Sequence, residues 1–207
     1  MTEAIRDYLF YAGIQYRNPD KAGDEREKML ELRHKGQEAR KAFTNLAKTF
    51  QASHPEWQLQ QTSQWMNQAQ RLRPHFWAYL QREGQVTEPM LALRLYGEGS
   101  DFGISLEVSF IERKKDEQTL SKQAKILDIP PVEGIYYLAY TDGQSQKVEA
   151  NEENRRLLRE KVRSQEVRKV LVKSDVSIIE NQSVEAILEE LEGAYTRLLP
   201  YYEVTRE

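Results

Sequence analysis

The stretch from His75 to Phe110 leaves this chain few choices of fold. Phe76, Ala78 and Leu80 alternate with His75, Trp77, Tyr79 and Gln81. Leu91, Leu93 and Leu95 alternate with Ala92, Arg94 and Tyr96, and Ile104, Leu106, Val108 and Phe110 with Ser105, Glu107 and Ser109. A period of two marks a strand with unlike faces. Turn residues separate the three runs, Arg82-Glu83-Gly84-Gln85 first and Gly97-Glu98-Gly99-Ser100-Asp101 second. The reading is a three-stranded antiparallel meander with one aliphatic face. Residues of its second and third strands pair where their numbers sum to about 199 or 200.

The rest of the chain supplies helices to cover that sheet. Asp24 reads as the N-cap of a helix over 24–50, in which Met29, Leu32, Gly36, Ala39, Phe43, Leu46 and Phe50 step by three and four. Gly36 inside that stripe predicts a close helix neighbour. Pro55 and Pro74 bracket a second helix over 57–72, carrying Trp57, Trp65, Met66, Ala69 and Leu72. A helix over 116–127 and a strand over 135–141 follow. Asp142-Gly143 reverses the chain into a strand over 147–150, and Asn151 caps a helix. A strand over 167–173 precedes a helix over 182–199 that Pro200 ends. The expected class is α+β: a mixed sheet with the meander, packed by an N-terminal helix pair and C-terminal helices. Residues 1–207 read as one domain, with an N-terminal helical part over 1–56, an αβββαβ core over 57–141 and a βαβα part over 142–207.

Composition removes several classes of function. The 207 residues include no cysteine, which excludes disulfides, thiol catalysis and thiolate metal sites. The three histidines, His34, His54 and His75, argue against a multi-histidine zinc centre. A formal net charge of −3 gives no global attraction to nucleic acid or an anionic membrane, so such a partner needs a local patch. No apolar run reaches transmembrane length, and no basic stretch with an apolar core opens the chain. The expectation is a cytoplasmic protein without membrane contact. Glycine-rich dinucleotide or phosphate loops and a Gly-x-Ser-x-Gly elbow are missing from the sequence.

Three constellations carry chemistry. Glu112 and Lys114 share a strand face, and the meander brings Glu88 opposite or one place from Glu112. Two carboxylates there could hold Mg or Mn through hard oxygen ligands, with Lys114 stabilising developing negative charge. Asp101 lies at the opposite end of the hairpin, about 30 Å away at strand rise. The second constellation is the outer face of the meander: His75, Trp77, Tyr79, Arg94, Tyr96 and Glu107. Aromatics interleaved with Arg can stack bases or sugars. The N-terminal helices also need a surface, so this face is expected to lie under their Phe43, Leu46, Phe50 and Trp65, with Arg94 and Glu107 paired across strands. The third is the basic run Arg155, Arg156, Arg159, Lys161 and Arg163, continued by Arg168, Lys169 and Lys173, which could grip the phosphates of a nucleic acid.

The order helix, three-stranded meander, helix, strand over 57–141, with Glu112-Arg113-Lys114 on the third strand, resembles the restriction-endonuclease-like nucleases. That resemblance implies metal-dependent phosphodiester hydrolysis, with Glu88 and Glu112 as ligands, Lys114 as charge stabiliser and Gln118 or Gln123 as a polar helper. The chain departs from that pattern in having Glu88 before Pro89 where the family has Asp after Pro. The segments SQWMNQAQRLRPHFWAYL and ISLEVSFIERKKDE resemble a small bacterial family, some members of which carry the label glucose-6-phosphate 1-dehydrogenase. The label implies an NADP-dependent dehydrogenase, yet no phosphate-binding glycine loop supports it. Read from its residues, the chain is expected to be a binding or interaction module, with nuclease-like hydrolysis as the alternative.

Overall fold

A computed structural model describes residues 2–82, 88–99, 101–110 and 117–206. It has an α+β architecture, with five helices among the described residues and one seven-stranded sheet. The strands are β1 (Gln58–Leu59), β2 (Trp77–Gln81), β3 (Met90–Glu98), β4 (Asp101–Ser109), β5 (Tyr136–Thr141), β6 (Gln144–Glu149) and β7 (Lys169–Ile178). Their order across the sheet is β1-β2-β3-β4-β7-β5-β6. Every pairing among the described strands is antiparallel, so the expected mixed sheet is corrected to an antiparallel one. The β3–β4 ladder runs without a slip from Met90↔Ser109 to Glu98↔Asp101. Gly97 is obligatory beside that turn: its φ is +90°, and a Cβ there would sit 2.2 Å from the Asp101 carbonyl oxygen.

All five helices lie on the aliphatic side. Tyr8 of α1 (Thr2–Leu9) stacks on Phe76 at 5.2 Å, and Phe43 of α2 (Arg26–Ala52) meets the same ring at 5.9 Å. α5 (Val184–Arg206) lies over β4 and β7, where Arg197 donates to Ser174 Oγ at 3.1 Å. Lys122 of α3 (Glu117–Ala124) reaches the Arg206 carbonyl of α5 at 3.3 Å. α4 (Glu152–Arg163) is tied by Arg155 to the Leu127 carbonyl at 2.7 Å, and the Arg155 charge acts on the inner-face Tyr137. Asn151 caps α4 as expected, accepting from the Asn154 N–H at 2.8 Å. Between these helices and the sheet, Leu80, Leu91, Leu93, Ile104, Leu106, Val172 and Val176 are fully or almost fully buried.

Three expected helix features are overturned. Residues 57–72 form no helix, because their backbone is taken by partners far away in sequence. Gln60 and Ser63 donate to the Tyr79 and Trp77 carbonyls at 2.8 and 2.9 Å, and Arg40 of α2 donates to the Thr62 and Ser63 carbonyls, both at 2.9 Å. The N-terminal helix pair is therefore α1 and α2. The close neighbour that Gly36 admits is the Trp65 indole, 2.5 Å from where a Cβ would stand. Nor does Pro200 end α5, which continues to Arg206. Tyr201 and Tyr202 beyond it are buried, Tyr201 donating to the Pro130 carbonyl at 2.8 Å and Tyr202 packing on Trp57 at 4.6 Å. That packing offsets the one hydrogen bond a proline removes. The helix end before Arg26 is also uncapped by Asp24, which lies in a 3-10 turn over Gly23–Glu25.

At the other end of the helix layer a polar knot pins α5 to the start of β1. Trp57 Nε1 donates to the Tyr195 hydroxyl, which donates to Glu56, both at 3.1 Å. His54 Nε2 meets Glu192 at 2.9 Å, and Arg82 lies 4.8 Å over the Trp57 ring.

Candidate functional site

The side of the sheet facing away from the helices is built by the same two-residue alternation. One row crosses six strands in register: Tyr79, Ala92, Glu107, Lys173, Tyr136 and Glu149. A second sets Trp77 beside Arg94, Ser105 and Asp175. Below them come Leu171 and Leu138, with Lys147 alongside, then Lys169 and Tyr140. No described helix packs over this face. The expectation that the N-terminal helices cover it is thereby corrected. Covering it would bury Arg94, Glu107 and Lys173 beneath apolar helix stripes, whereas the opposite face is mainly aliphatic, with Phe76, Phe102 and Tyr137 among its leucines, isoleucines and valines.

Charges hold this face together. Glu107 is 1% exposed and accepts from Arg94 Nε and Nη2 at 3.1 and 2.8 Å. Its other carboxylate oxygen lies 3.1 Å from Lys173 Nζ, itself 6% exposed. Burial alone would raise the Glu107 pKa, but the Arg94 and Lys173 charges outweigh it and hold the carboxyl below its ordinary value. Burial would likewise lower Arg94, and Glu107 reverses that. The Tyr136 hydroxyl donates to Asp175 at 2.9 Å, and burial together with that carboxylate raises its pKa. Lys147 completes the group, 3.3 Å from Asp175 and 3.8 Å from the Tyr136 ring centre.

The rings carry cations close by. Arg73 and Arg94 lie 4.8 and 5.5 Å from the Trp77 ring, and Lys169 lies 4.5 Å from Tyr140. His75 is 6.0 Å from Trp77. Burial first, and then the charges of Arg94, Arg73 and Lys173, lower its pKa below the ordinary 6.5. Trp77, Tyr79, Tyr96, Tyr136 and Tyr140 are all half-buried. Such a surface can stack planar groups and meet negative charge between them.

The five outer-face residues expected to bind, Trp77, Tyr79, Arg94, Tyr96 and Glu107, are thus brought together, with Arg94 and Glu107 paired. Half of the face was not anticipated: Tyr136, Leu138 and Tyr140 of β5, and Lys169, Lys173 and Asp175 of β7. The same period of two runs through IYYLAYT and KVLVKSD and marks them.

The other two constellations fare differently. Glu112 and Lys114 lie outside the described residues. Glu88 is described, and its carboxylate is 3.2 Å from Lys122 Nζ. In the basic run, Arg155 pairs with Glu152 at 2.8 Å, Arg159 with Asp128 at 2.9 Å and Lys161 with Glu166 at 2.7 Å. Arg156 and Arg163 are exposed on α4, where Glu152 and Glu153 share a shallow cleft with Arg155, Arg156 and Arg159. Because α4 belongs to the helix layer, the part of the run from Arg155 to Arg163 sits across the sheet from the aromatic face, whereas Lys169 and Lys173 of β7 stand on that face. Among the described residues no three acids or histidines are placed to hold a metal ion, and no helix is long and apolar enough to cross a membrane. No protein-family model matches the chain, and no curated protein matches it.

Proposed function

We propose that this protein is a binding module that holds single-stranded nucleic acid on the outer face of its sheet. One observation carries the reading: Trp77, Tyr79, Tyr96, Tyr136 and Tyr140 share a face that no described helix covers, with Arg73, Arg94, Lys147, Lys169 and Lys173 among them. Every base offers a π-face to an aromatic ring or a guanidinium plane, and lysines beside the rings meet the phosphates. The reading also fits a net charge of −3, because it needs only a local excess of cations. Unlike a duplex, a single strand presents its bases directly to a flat surface.

Fluorescence anisotropy with a labelled single-stranded oligonucleotide of mixed sequence tests it. Binding is expected at low salt and should weaken as salt rises, with a slope set by the few phosphates engaged. Trp77→Ala should weaken it about tenfold, the worth of one stacked base. Replacing Arg156 and Arg163 on α4 by Ala should leave it unchanged. Absence of binding at low salt, or binding indifferent to Trp77→Ala but lost with the α4 variant, would move the function away from the sheet.

A further inference from the structure

The geometry points to a path: we infer that the bound strand crosses the sheet at right angles to the β-strands, along the row from Tyr79 to Tyr136, and engages about four nucleotides. This rests on the proposed function and adds the direction and length of the site.

The aromatic residues are not spread evenly. Four of the five stand as two pairs, Trp77 and Tyr79 on β2 and Tyr136 and Tyr140 on β5, while Tyr96 of β3 sits near the hairpin. Between those strands lie β3, β4 and β7, so the two ring pairs are four strand spacings apart, about 19 Å. The floor between them is low and charged. Ala92 and Ser105 are small and fully buried, and Glu107 is clamped between Arg94 and Lys173. Two cations on one carboxylate leave the middle of the row positive, which suits the phosphates between a base stacked at one wall and a base stacked at the other. Asp175, beside the far wall, is answered by Lys147 and by the Tyr136 hydroxyl.

A path along the strands is blocked at one end. Tyr96 lies across Gly103, where a Cβ would stand 2.4 Å from the Tyr96 hydroxyl oxygen, and that hydroxyl meets Ser177 at 3.4 Å. Past it the hairpin ends in Glu98 and Asp101, which repel phosphate. The crosswise direction is the one that joins the two ring pairs, and it does so over a positive floor.

The test is a length series of single-stranded oligonucleotides, from a dinucleotide to an octanucleotide, against wild type, Tyr79→Leu, Tyr136→Leu and Tyr136→Phe. Affinity should climb steeply up to the tetranucleotide and only slowly beyond it. Tyr79→Leu and Tyr136→Leu, at opposite ends of the row, should each weaken the tetranucleotide about tenfold, bringing it near the dinucleotide. Tyr136→Phe keeps the ring but not the bond to Asp175 and should recover most of the affinity that Tyr136→Leu loses, which separates stacking from a general loss of structure; circular dichroism checks each fold. If Tyr136→Leu is folded and binds every length normally while Trp77→Ala does not, the crosswise path is wrong and the proposed function stands. If no length binds wild type, both fall.

Discussion

On the helix side of β4, Ile104, Leu106 and Val108 are sealed beneath α5; on the other side of the same strand, Ser105, Glu107 and Ser109 are almost as deep with no described helix above them. The first set is buried by another layer of the protein. In the second set Glu107 is buried by its own neighbours, clamped between the Arg94 and Lys173 side chains. Aliphatic burial gains free energy in proportion to area and has no preferred partner. Burial of Glu107 is favourable only while Arg94 and Lys173 stay in place. The helix side is therefore tolerant of shape-conserving change, and the outer side is specific. A surface with pre-set charges and rings is what a binding site requires, and an aliphatic face is what a core requires.

The largest expected effect comes from removing the anchor of the specific face. Glu107→Ala leaves Lys173 and Arg94 without their carboxylate in a dry place and should destabilise the fold by about 4 kcal/mol. Replacing Arg94, Glu107 and Lys173 together by Met or Leu should restore most of that stability while abolishing oligonucleotide binding. Urea denaturation and anisotropy on the same samples read the two quantities. If the triple variant remains as unstable as Glu107→Ala, the network contributes stability of its own and the contrast between faces is drawn too sharply.

On the tolerant face, Leu106→Ala should cost about 3 kcal/mol through lost burial and the cavity left behind. The folded fraction should bind oligonucleotides as wild type does, because Leu106 points away from the rings. A matching fall in affinity would show that the two faces communicate through the strand.

Much of this contrast was legible in the residues and part was not. Alternation alone placed Leu93 and Leu106 on one side and Arg94 and Glu107 on the other, and the Gly97–Asp101 reversal set the register. What alternation lacks is a statement of which side the helices take. Trp77, Tyr79 and Tyr96 look as buriable as leucines until the chain supplies Lys173, which sits beyond β4 through a pairing 66 residues away in sequence from Glu107. The segment over 57–72 misled for a similar reason. Its Trp57 and Trp65 have helix-like flanks, but Arg40 and the β2 carbonyls claim its backbone, and no local signal announces them. Pro200 is a local signal that packing overrode, since beyond it Tyr201 bonds the Pro130 carbonyl and Tyr202 packs on Trp57. The nuclease-like pair Glu112 and Lys114 remains a feature of the sequence, lying outside the described residues.

The smallest effect tests the electrostatics of the outer face without removing any contact. His75 has its pKa lowered from the ordinary 6.5, chiefly by burial and then by Arg94, Arg73 and Lys173. As pH falls through that ordinary value, the unfolded chain takes up a proton on this residue before the folded one does. Folding stability should therefore decline through that window, and the decline should continue until the folded His75 itself protonates. Glu107 acts in a separate and lower window: its lowered pKa contributes stability above the ordinary 4.5, lost as pH falls through the folded value. Urea midpoints of wild type and His75→Gln, compared between pH 8 and pH 5.5, isolate the His75 share (from about 8 to about 5.5, bracketing the imidazole range). The variant should show the shallower decline, and high salt should narrow the gap by screening the three cations. Bound oligonucleotide should narrow it too, since phosphates laid over Arg94 and Lys173 cancel the potential that His75 feels. A gap unchanged by the oligonucleotide, in a protein that binds it, would place the phosphates away from this corner of the face.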